Sequence, residues 1–310
     1  MTERRGMEIL DDPIHGIFIP SGIFTLGVLV IAWSAGNAWY LLGILALAMF
    51  VGARLLLAYR SRTSILPNEW TPLELEERIV LSKNAAIYRF KLRSSVETLD
   101  IPTGFHLAAK VMLDGVEEVR YYTPISNKFA EGHFDIIVKS YVDGKVSKWF
   151  AGLQPGQTVE FKGPVGRFSY VTNAYKKIGM VTGGSAITPM LSVLNKIVTT
   201  PEDTTQVCLI YANETENDIL LKDELDDLAS KYPNFEVHYV VRKPSASWTG
   251  EVGYVTKQHL EKYLPPCNPA HRLLICGPPK MKQMVLEYAE QLGWPKGAMK
   301  SKPEDQVFVF

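Results

Sequence analysis

The chain has 310 residues, 33 Lys+Arg against 33 Asp+Glu, and a mean hydropathy of zero. This balance argues against a nucleic-acid-binding domain, which carries a basic surplus that neutralises phosphates. Three cysteines, Cys208, Cys267 and Cys276, have neither an even count nor a metal-ligand spacing, which excludes a disulfide scaffold or zinc cluster and points to a reducing compartment.

The averages hide a division. Residues 13–53 contain no Asp, Glu, Lys or Arg. A membrane helix needs about 20 apolar residues to cross roughly 30 Å of hydrocarbon, and residues 38–57 meet that length alone. Residues 17–33 are shorter and carry Pro20, Ser21 and Gly22, so they read as a second span, an interfacial segment or the lead-in to one tilted helix. Between the two, Ser34, Ala35, Gly36 and Asn37 read as a hairpin turn. A signal peptide has a shorter apolar core and a cleavage site nearer the start. The expectation is therefore an uncleaved anchor, one or two spans within residues 17–58. Arg54, Arg60 and Arg62 follow the apolar run, and the positive-inside bias places the rest of the chain in the cytosol. Arg4 and Arg5 favour two spans with both ends cytosolic. The competing reading, a buried core helix, suffers from the lack of a polar face.

Residues 65–172 change character. Apolar runs are brief and turn signals recur at Pro102-Thr103-Gly104, Asp114-Gly115, Asp143-Gly144, Pro155-Gly156 and Gly163-Pro164. This spacing predicts an antiparallel barrel or sandwich. From residue 177 to residue 310, buried strands (178–181, 207–212, 235–241, 273–276) alternate with helical patterns (189–198, 221–231, 256–263, 280–292). That alternation predicts a parallel α/β sheet wound through right-handed crossovers.

Four motifs carry chemistry. Arg120-Tyr121-Tyr122-Thr123-Pro124-Ile125-Ser126 follows a strand. Its arginine fork suits a pyrophosphate and its aromatics suit a flat ring, although a strand with half-buried tyrosines and a surface arginine has the same pattern. Asp143-Gly144-Lys145-Val146-Ser147 closes the strand at 134–141 and opens a helix to Leu153. Free N–H groups there can bind an anion, or the segment is an ordinary helix start. Gly183-Gly184-Ser185-Ala186-Ile187-Thr188-Pro189-Met190 and Cys276-Gly277-Pro278-Pro279-Lys280-Met281 each follow a buried strand. Both sit at the carboxyl ends of parallel strands, where open α/β sheets bind ligands. Neither is a G-x-G-x-x-G fingerprint. His106 and His133 lack a metal-ligand partner at suitable spacing, and no metal site is expected.

In this order, and with the ending Val307-Phe308-Val309-Phe310, the motifs resemble the NADH–cytochrome b5 reductases, closest in layout to fungal membrane-anchored members. The resemblance covers residues 65–310. It implies a ferredoxin reductase-like arrangement: an FAD-binding barrel at 65–172, then an NADH-binding α/β domain at 177–310. By the same resemblance, Arg120 is the FAD pyrophosphate partner, and Tyr122, Thr123 and Ser126 belong to the flavin motif. Gly144, Val146 and Ser147 match the second FAD motif, with Lys139 and Tyr141 on the bordering strand. The loop Gly163-Pro164-Val165-Gly166 leads from the barrel towards the flavin. Thr188 lies where nicotinamide meets flavin, so Thr188 and Thr123 are the expected catalytic positions. Gly183, Gly184, Cys276, Gly277, Pro278 and Met281 line the nicotinamide side. Ala186 replaces the family's usual glycine. Cys276, without a Cys-x-x-Cys partner, has a packing or nicotinamide-contact role.

Asp218 follows Tyr211-Ala212-Asn213-Glu214, which resembles the adenosine-ribose region. It either accepts from ribose hydroxyls and repels a 2′-phosphate, favouring NADH over NADPH, or serves as a helix cap. The implied activity is hydride transfer from NADH to FAD, then single-electron transfer to cytochrome b5 by a monomeric catalytic domain on the mitochondrial outer membrane or endoplasmic reticulum. Lys145, Lys176 and Lys177 are the basic residues expected to face that acidic partner. Two alternatives are a flavoreductase with an iron-protein or oxygen acceptor and a non-catalytic membrane-anchored nucleotide sensor.

Overall fold

A computed structural model of the chain describes residues 19–37, 39, 41–61 and 63–310. Expectations resting on Arg4, Arg5, Arg62 and the side chains of Arg54 and Arg60 lie outside the described residues. The chain divides into two compact units, Met1–Thr63 and Ser64–Phe310.

In the first unit, helices α1 (Ile19–Ala35) and α2 (Leu41–Ser61) pack together. Pro20 falls in the first turn of α1, where its missing N–H leaves no bond unmade. The helix runs on through Ser34 and Ala35, so the expected hairpin turn narrows to Gly36 and Asn37. Their N–H groups donate to the carbonyls of Trp33 and Ala32, both at 3.3 Å, a capping pattern that satisfies the last turn. No residue of α1 is buried, and Ile23, Leu26 and Val30 are 68%, 65% and 61% exposed. Among the described residues, no helix is long and apolar enough to cross a membrane. The 17 residues of α1 rise about 25 Å against roughly 30 Å of hydrocarbon. In α2 the described side chains stop at Ala53.

The second unit opens with six antiparallel strands: β1 (Thr71–Ser82), β2 (Ala85–Lys91), β3 (His106–Leu113), β4 (Val116–Tyr122), β5 (His133–Lys139) and β6 (Thr158–Val165). Their order is β4-β3-β6-β1-β2-β5. The sheet rolls until its edges meet, where the N–H of Ile125, just past β4, donates to the Asp135 carbonyl of β5 at 2.9 Å. Alternation explains the roll. In β1, Thr71, Leu73 and Leu75 point inward while Pro72, Glu74 and Glu76 face solvent. Asp114 at φ 50 turns β3 directly into β4, as the Asp-Gly pair predicts. Gly163-Pro164, read as a turn, instead lies inside β6. Its neighbours pair with β3 across a local irregularity in register, so a bent strand end produces the same signal as a turn.

Helix α3 (Lys145–Gly152) plugs one end of the barrel. It buries Val146 and Phe150, the latter set edge-on against Tyr88 and Tyr122, each at 5.4 Å. Elsewhere in the same core Phe90 stacks on Phe134, and Phe161 meets both rings edge-on. Phe150→Ala is expected to lower the unfolding free energy by about 3–5 kcal/mol, because the surrounding rings can collapse only partly into the space. Urea denaturation of the FAD-loaded protein measures it, and a loss below about 1 kcal/mol would mean the rings repack.

The remaining strands are β7 (Lys177–Gly183), β8 (Gln206–Asn213), β9 (Phe235–Val241), β10 (Glu251–Val252), β11 (His271–Cys276) and β12 (Val307–Val309). They form a wholly parallel sheet, order β10-β9-β8-β7-β11-β12. Helices α4 (Thr188–Val198), α5 (Lys222–Lys231), α6 (Lys257–Tyr263) and α7 (Pro279–Gln291) cover it. Side-chain alternation assigns the faces. Met180, Leu209 and Leu274 meet Val193 and Leu194 of α4 and Leu225 of α5, whereas Val181, Ile210 and Leu273 meet Leu260 of α6 and Val285 of α7. The winding starts at β7, proceeds to β10, then returns to β11. The strand order therefore reverses between β7 and β11, the place where such sheets bind ligands.

The segment joining the two sheets is fastened by Arg272 of β11, 3% exposed. Its guanidinium lies over Phe168 and Tyr175 of that segment, 5.0 and 5.1 Å from the ring centres. It also donates to the Tyr175 hydroxyl and the Pro303 carbonyl.

Candidate flavin and dinucleotide site

Three chain segments converge at the rim of the barrel: the end of β4, the end of β5 with the turn after it, and the start of α3. They enclose a cavity of about 490 Å³, within the range of small-molecule sites. Of the residues expected to hold FAD, Arg120, Tyr122, Lys139, Tyr141, Gly144, Val146 and Ser147 all line it. Thr123 and Ser126 do not. Thr123 is 6% exposed just beyond β4, and the Ser126 hydroxyl accepts the Asp135 N–H at 3.3 Å, so Ser126 serves barrel closure.

The chemistry of the lining suits a dinucleotide with a flat ring. Gly144 caps α3 without a side-chain hydrogen bond, which leaves the first N–H groups of the helix for an anion. A Cβ at 144 would fall 2.2 Å from the Ser147 Oγ, so only glycine lets Ser147 approach. That hydroxyl accepts the Tyr141 N–H at 3.3 Å and ties the turn to the helix. The Arg120 side chain is half exposed, held by Glu118 at 3.1 Å and its neighbour's carbonyl at 2.8 Å. Burial raises the Tyr122 hydroxyl's pKa, partly opposed by Arg120, so the phenol stays neutral. These groups fit FAD: a cation and helix N-terminus for the pyrophosphate, aromatic faces for the isoalloxazine.

The second cluster lies at the switch point. Register pairs Thr182 of β7 with Cys276 of β11, placing the two glycine turns side by side. A Cβ at Gly183 would sit 3.0 Å from the Met281 sulfur and 3.3 Å from the Pro278 ring, so Gly183, Pro278 and Met281 form one tight corner with Gly277. Gly184 has φ 58 and opens a 3-10 turn, Gly184–Ile187, a conformation that a side chain resists. Thr188 then begins α4, 7% exposed. Ala186 lies inside the 3-10 turn and is not among the positive-φ residues, so its methyl strains nothing in the backbone. Burial pushes the Cys276 thiol up to about 12, which keeps it protonated and unreactive.

Two contacts join the clusters. The Tyr141 and Ser185 hydroxyls meet at 3.0 Å, and Ser185 itself lines the barrel cavity. Lys139 Nζ donates to Asp218 Oδ1 at 2.7 Å across the same boundary. The other Asp218 oxygen accepts from the Thr215 N–H and hydroxyl at 3.1 and 2.7 Å in a reciprocal capping box. Both oxygens expected to meet a ribose thus have partners within the protein, and contact with a ribose would require releasing one. Sequence reading assigned no role to Ser185. It placed Tyr211 in the adenosine-ribose stretch without a bracing role, whereas Tyr211 is fully buried on β8 and its hydroxyl donates to the Gly184 carbonyl and accepts from the Leu220 N–H. A tyrosine amid an apolar strand is the one available signal for such a brace. His106 packs edge-on to Tyr121 at 5.1 Å, and among the described residues no group of acidic, histidine and cysteine side chains could hold a metal.

Residues 72–170 match the family described as oxidoreductase FAD-binding domain, and residues 180–287 the oxidoreductase NAD-binding domain. The plasma membrane-associated coenzyme Q6 reductase PGA3 of Saccharomyces cerevisiae is 54% identical over 305 residues, 98% of this chain and 98% of its own. NADH-cytochrome b5 reductase 1 of Ajellomyces capsulatus is 40% identical over 306 residues, 96% of this chain and 97% of its own. The crystal structure of the cytochrome b5 reductase domain of Ulva prolifera nitrate reductase superposes with a TM-score of 0.74 at 32% identity, covering 80% of this chain and 99% of that one.

Proposed function

Since this chain belongs to the NADH–cytochrome b5 reductases, FAD-dependent oxidoreductases of ferredoxin reductase-like fold, we propose that it carries electrons from NADH to cytochrome b5 while anchored to a membrane by its first 62 residues. The observation that carries this reading is the Tyr141–Ser185 contact, which sets the barrel cavity against the turn that follows Gly183 and Gly184. Bound FAD supplies the conversion of a hydride into two single-electron transfers. The protein's part is placement. Arg120, the start of α3 and Ser147 hold the pyrophosphate. Gly183 and Gly184 would let a nicotinamide approach the turn that Thr188 follows, and the half-buried Cys276 would limit water there. Lys145, at the cavity mouth, is suited to face an acidic partner.

Membrane attachment rests on the exposed apolar surface of α1 and the charge-free run around it. A second acceptor, a membrane quinone, is favoured by the 54% identical coenzyme Q6 reductase. One mixing experiment separates the readings. NADH should bleach the yellow protein, and oxidised cytochrome b5 or a short-chain ubiquinone should restore the colour; the faster acceptor at equal concentration identifies the partner. Bleaching with no recovery by either would defeat both readings. A chain starting at Ser64 should keep NADH oxidation with a small artificial acceptor and leave the membrane pellet. Its retention in the pellet would place the anchor elsewhere.

A further inference from the structure

With Asp218 turned to Lys139 and Thr215, its carboxylate no longer presents a free negative charge to a 2′-phosphate. At the carboxyl ends of β8 and β9 stand two cations, Arg242 and Lys243, together with the carboxylate of Glu214. The β8–β9 ladder continues one step past the strands: the Arg242 N–H donates to the Asn213 carbonyl at 3.0 Å and the Lys243 N–H to the Glu214 carbonyl at 2.8 Å. Arg242 and Lys243 are thereby fixed beside the end of β8. Arg242 Nη2 and Lys243 Nζ both reach one oxygen of Glu214, at 3.0 and 2.8 Å. Two cations therefore share a single carboxylate.

An exposed aromatic ring and a buried unpaired amide flank the pair. Arg242 Nη1 donates to the Tyr254 hydroxyl at 2.8 Å, and its guanidinium lies 5.5 Å from that ring's centre. Tyr254 is 65% exposed, a flat face available to a purine. At the end of β8, Asn213 is buried, and neither amide atom of its side chain has a hydrogen-bond partner among the described residues. Glu216, the other nearby carboxylate, accepts from the Ser245 N–H and hydroxyl at 2.9 and 2.8 Å, which leaves Glu214 as the group opposing an incoming anion. Its side chain and those of Arg242 and Lys243 are 42%, 38% and 65% exposed, and ion pairs so open to water are weak.

We propose that Arg242 and Lys243 form a site for the 2′-phosphate of NADPH, so that this enzyme takes NADPH as well as NADH, with Glu214 as the exchangeable counter-ion. The proposal rests on the dinucleotide reading above. In such sheets a carboxylate at this corner accepts from the ribose hydroxyls, whereas an arginine accommodates the phosphate. This chain has both. With NADH, Glu214 remains between the cations and offers an oxygen to the 2′-hydroxyl. With NADPH, the phosphate supplies three acceptor oxygens, matching the guanidinium fork and the ammonium better than one carboxylate oxygen.

The test measures binding and turnover separately on the FAD-loaded full chain. Calorimetry should show adenosine 2′,5′-bisphosphate binding about tenfold or more tighter than adenosine 5′-monophosphate at low ionic strength, with the preference shrinking as salt is added. Replacing both cations (Arg242→Gln, Lys243→Gln) should erase that preference and lower the NADPH-to-NADH ratio of kcat/KM by about tenfold or more. Glu214→Gln should raise the ratio by removing the competing carboxylate. Equal binding of the two adenosine nucleotides by the unaltered enzyme, or a ratio unmoved in the double variant, overturns the proposal. Failure to oxidise NADH would instead defeat the reductase reading, and the calorimetric comparison would still decide the phosphate site.

Discussion

Arg120→Ala should weaken FAD binding by about 10- to 150-fold, the equivalent of about 1.5–3 kcal/mol for a charge-assisted hydrogen bond. The side chain emerges near the end of β4, at the cavity rim, opposite the α3 N-terminus that offers the other anion-binding donors. Its half-exposed pairing with Glu118 is a surface ion pair, too weak to compete with a pyrophosphate held by both the guanidinium and the helix. The geometry separates charge from shape. Arg120→Lys keeps the positive charge but loses the planar fork, so its affinity should fall between the other two. Dilution followed by the rise of free-flavin fluorescence reads all three. Identical dissociation in wild type and Arg120→Ala would take Arg120 out of the site and leave α3 as the anion holder.

Local chemistry made most of this architecture readable, and contacts distant in sequence account for what was not. Asp114-Gly115 announces the β3–β4 hairpin because positive φ at that pair is a property of two adjacent residues. The glycine turns after β7 and β11 are legible for the same reason, and parallel pairing then brings them together. Gly163-Pro164 misleads because the dipeptide does not reveal that β3 pairs across it. Ser126 belongs to a motif whose neighbours line the cavity, yet it faces Asp135 because the barrel closes there. Asp218 is the clearest case. The chain around it shows an acid near a helix start, which suits a cap or a ribose. Lys139, 79 positions away, reaches it only after the barrel and the α/β sheet have come together. Tyr211 braces the Gly184 turn by the same kind of contact, and the charge pattern of β9's end takes its meaning from the neighbouring β8.

Removing Asp218 tests how strongly the barrel and the α/β sheet are clasped. The Lys139 and Asp218 side chains are 7% and 17% exposed, so Asp218→Ala leaves a cation with little water and no partner. Breaking a buried pair in this way costs about 3–5 kcal/mol, and the residual exposure of Asp218 argues for the lower end. For a unit of this size, about 3 kcal/mol corresponds to a Tm lowered by roughly 6–12 °C. Asp218→Leu with Lys139→Met should recover much of the loss, since two apolar side chains remove both desolvated charges together. The pH dependence has a definite sign. Burial alone would raise the Asp218 carboxyl, but the hydrogen bonds from Lys139 and Thr215 outweigh it and hold the folded pKa below the ordinary value. A depressed carboxylate contributes stability above its unfolded pKa of about 3.9 and loses it as pH falls through the folded value. Thermal unfolding from pH 8 down to pH 5 should therefore show a constant Tm gap between wild type and Asp218→Ala, closing only below about pH 4. A gap that closes near neutrality would assign the effect to a different titrating group, and no gap at any pH would mean the two sheets are held by their apolar contacts alone.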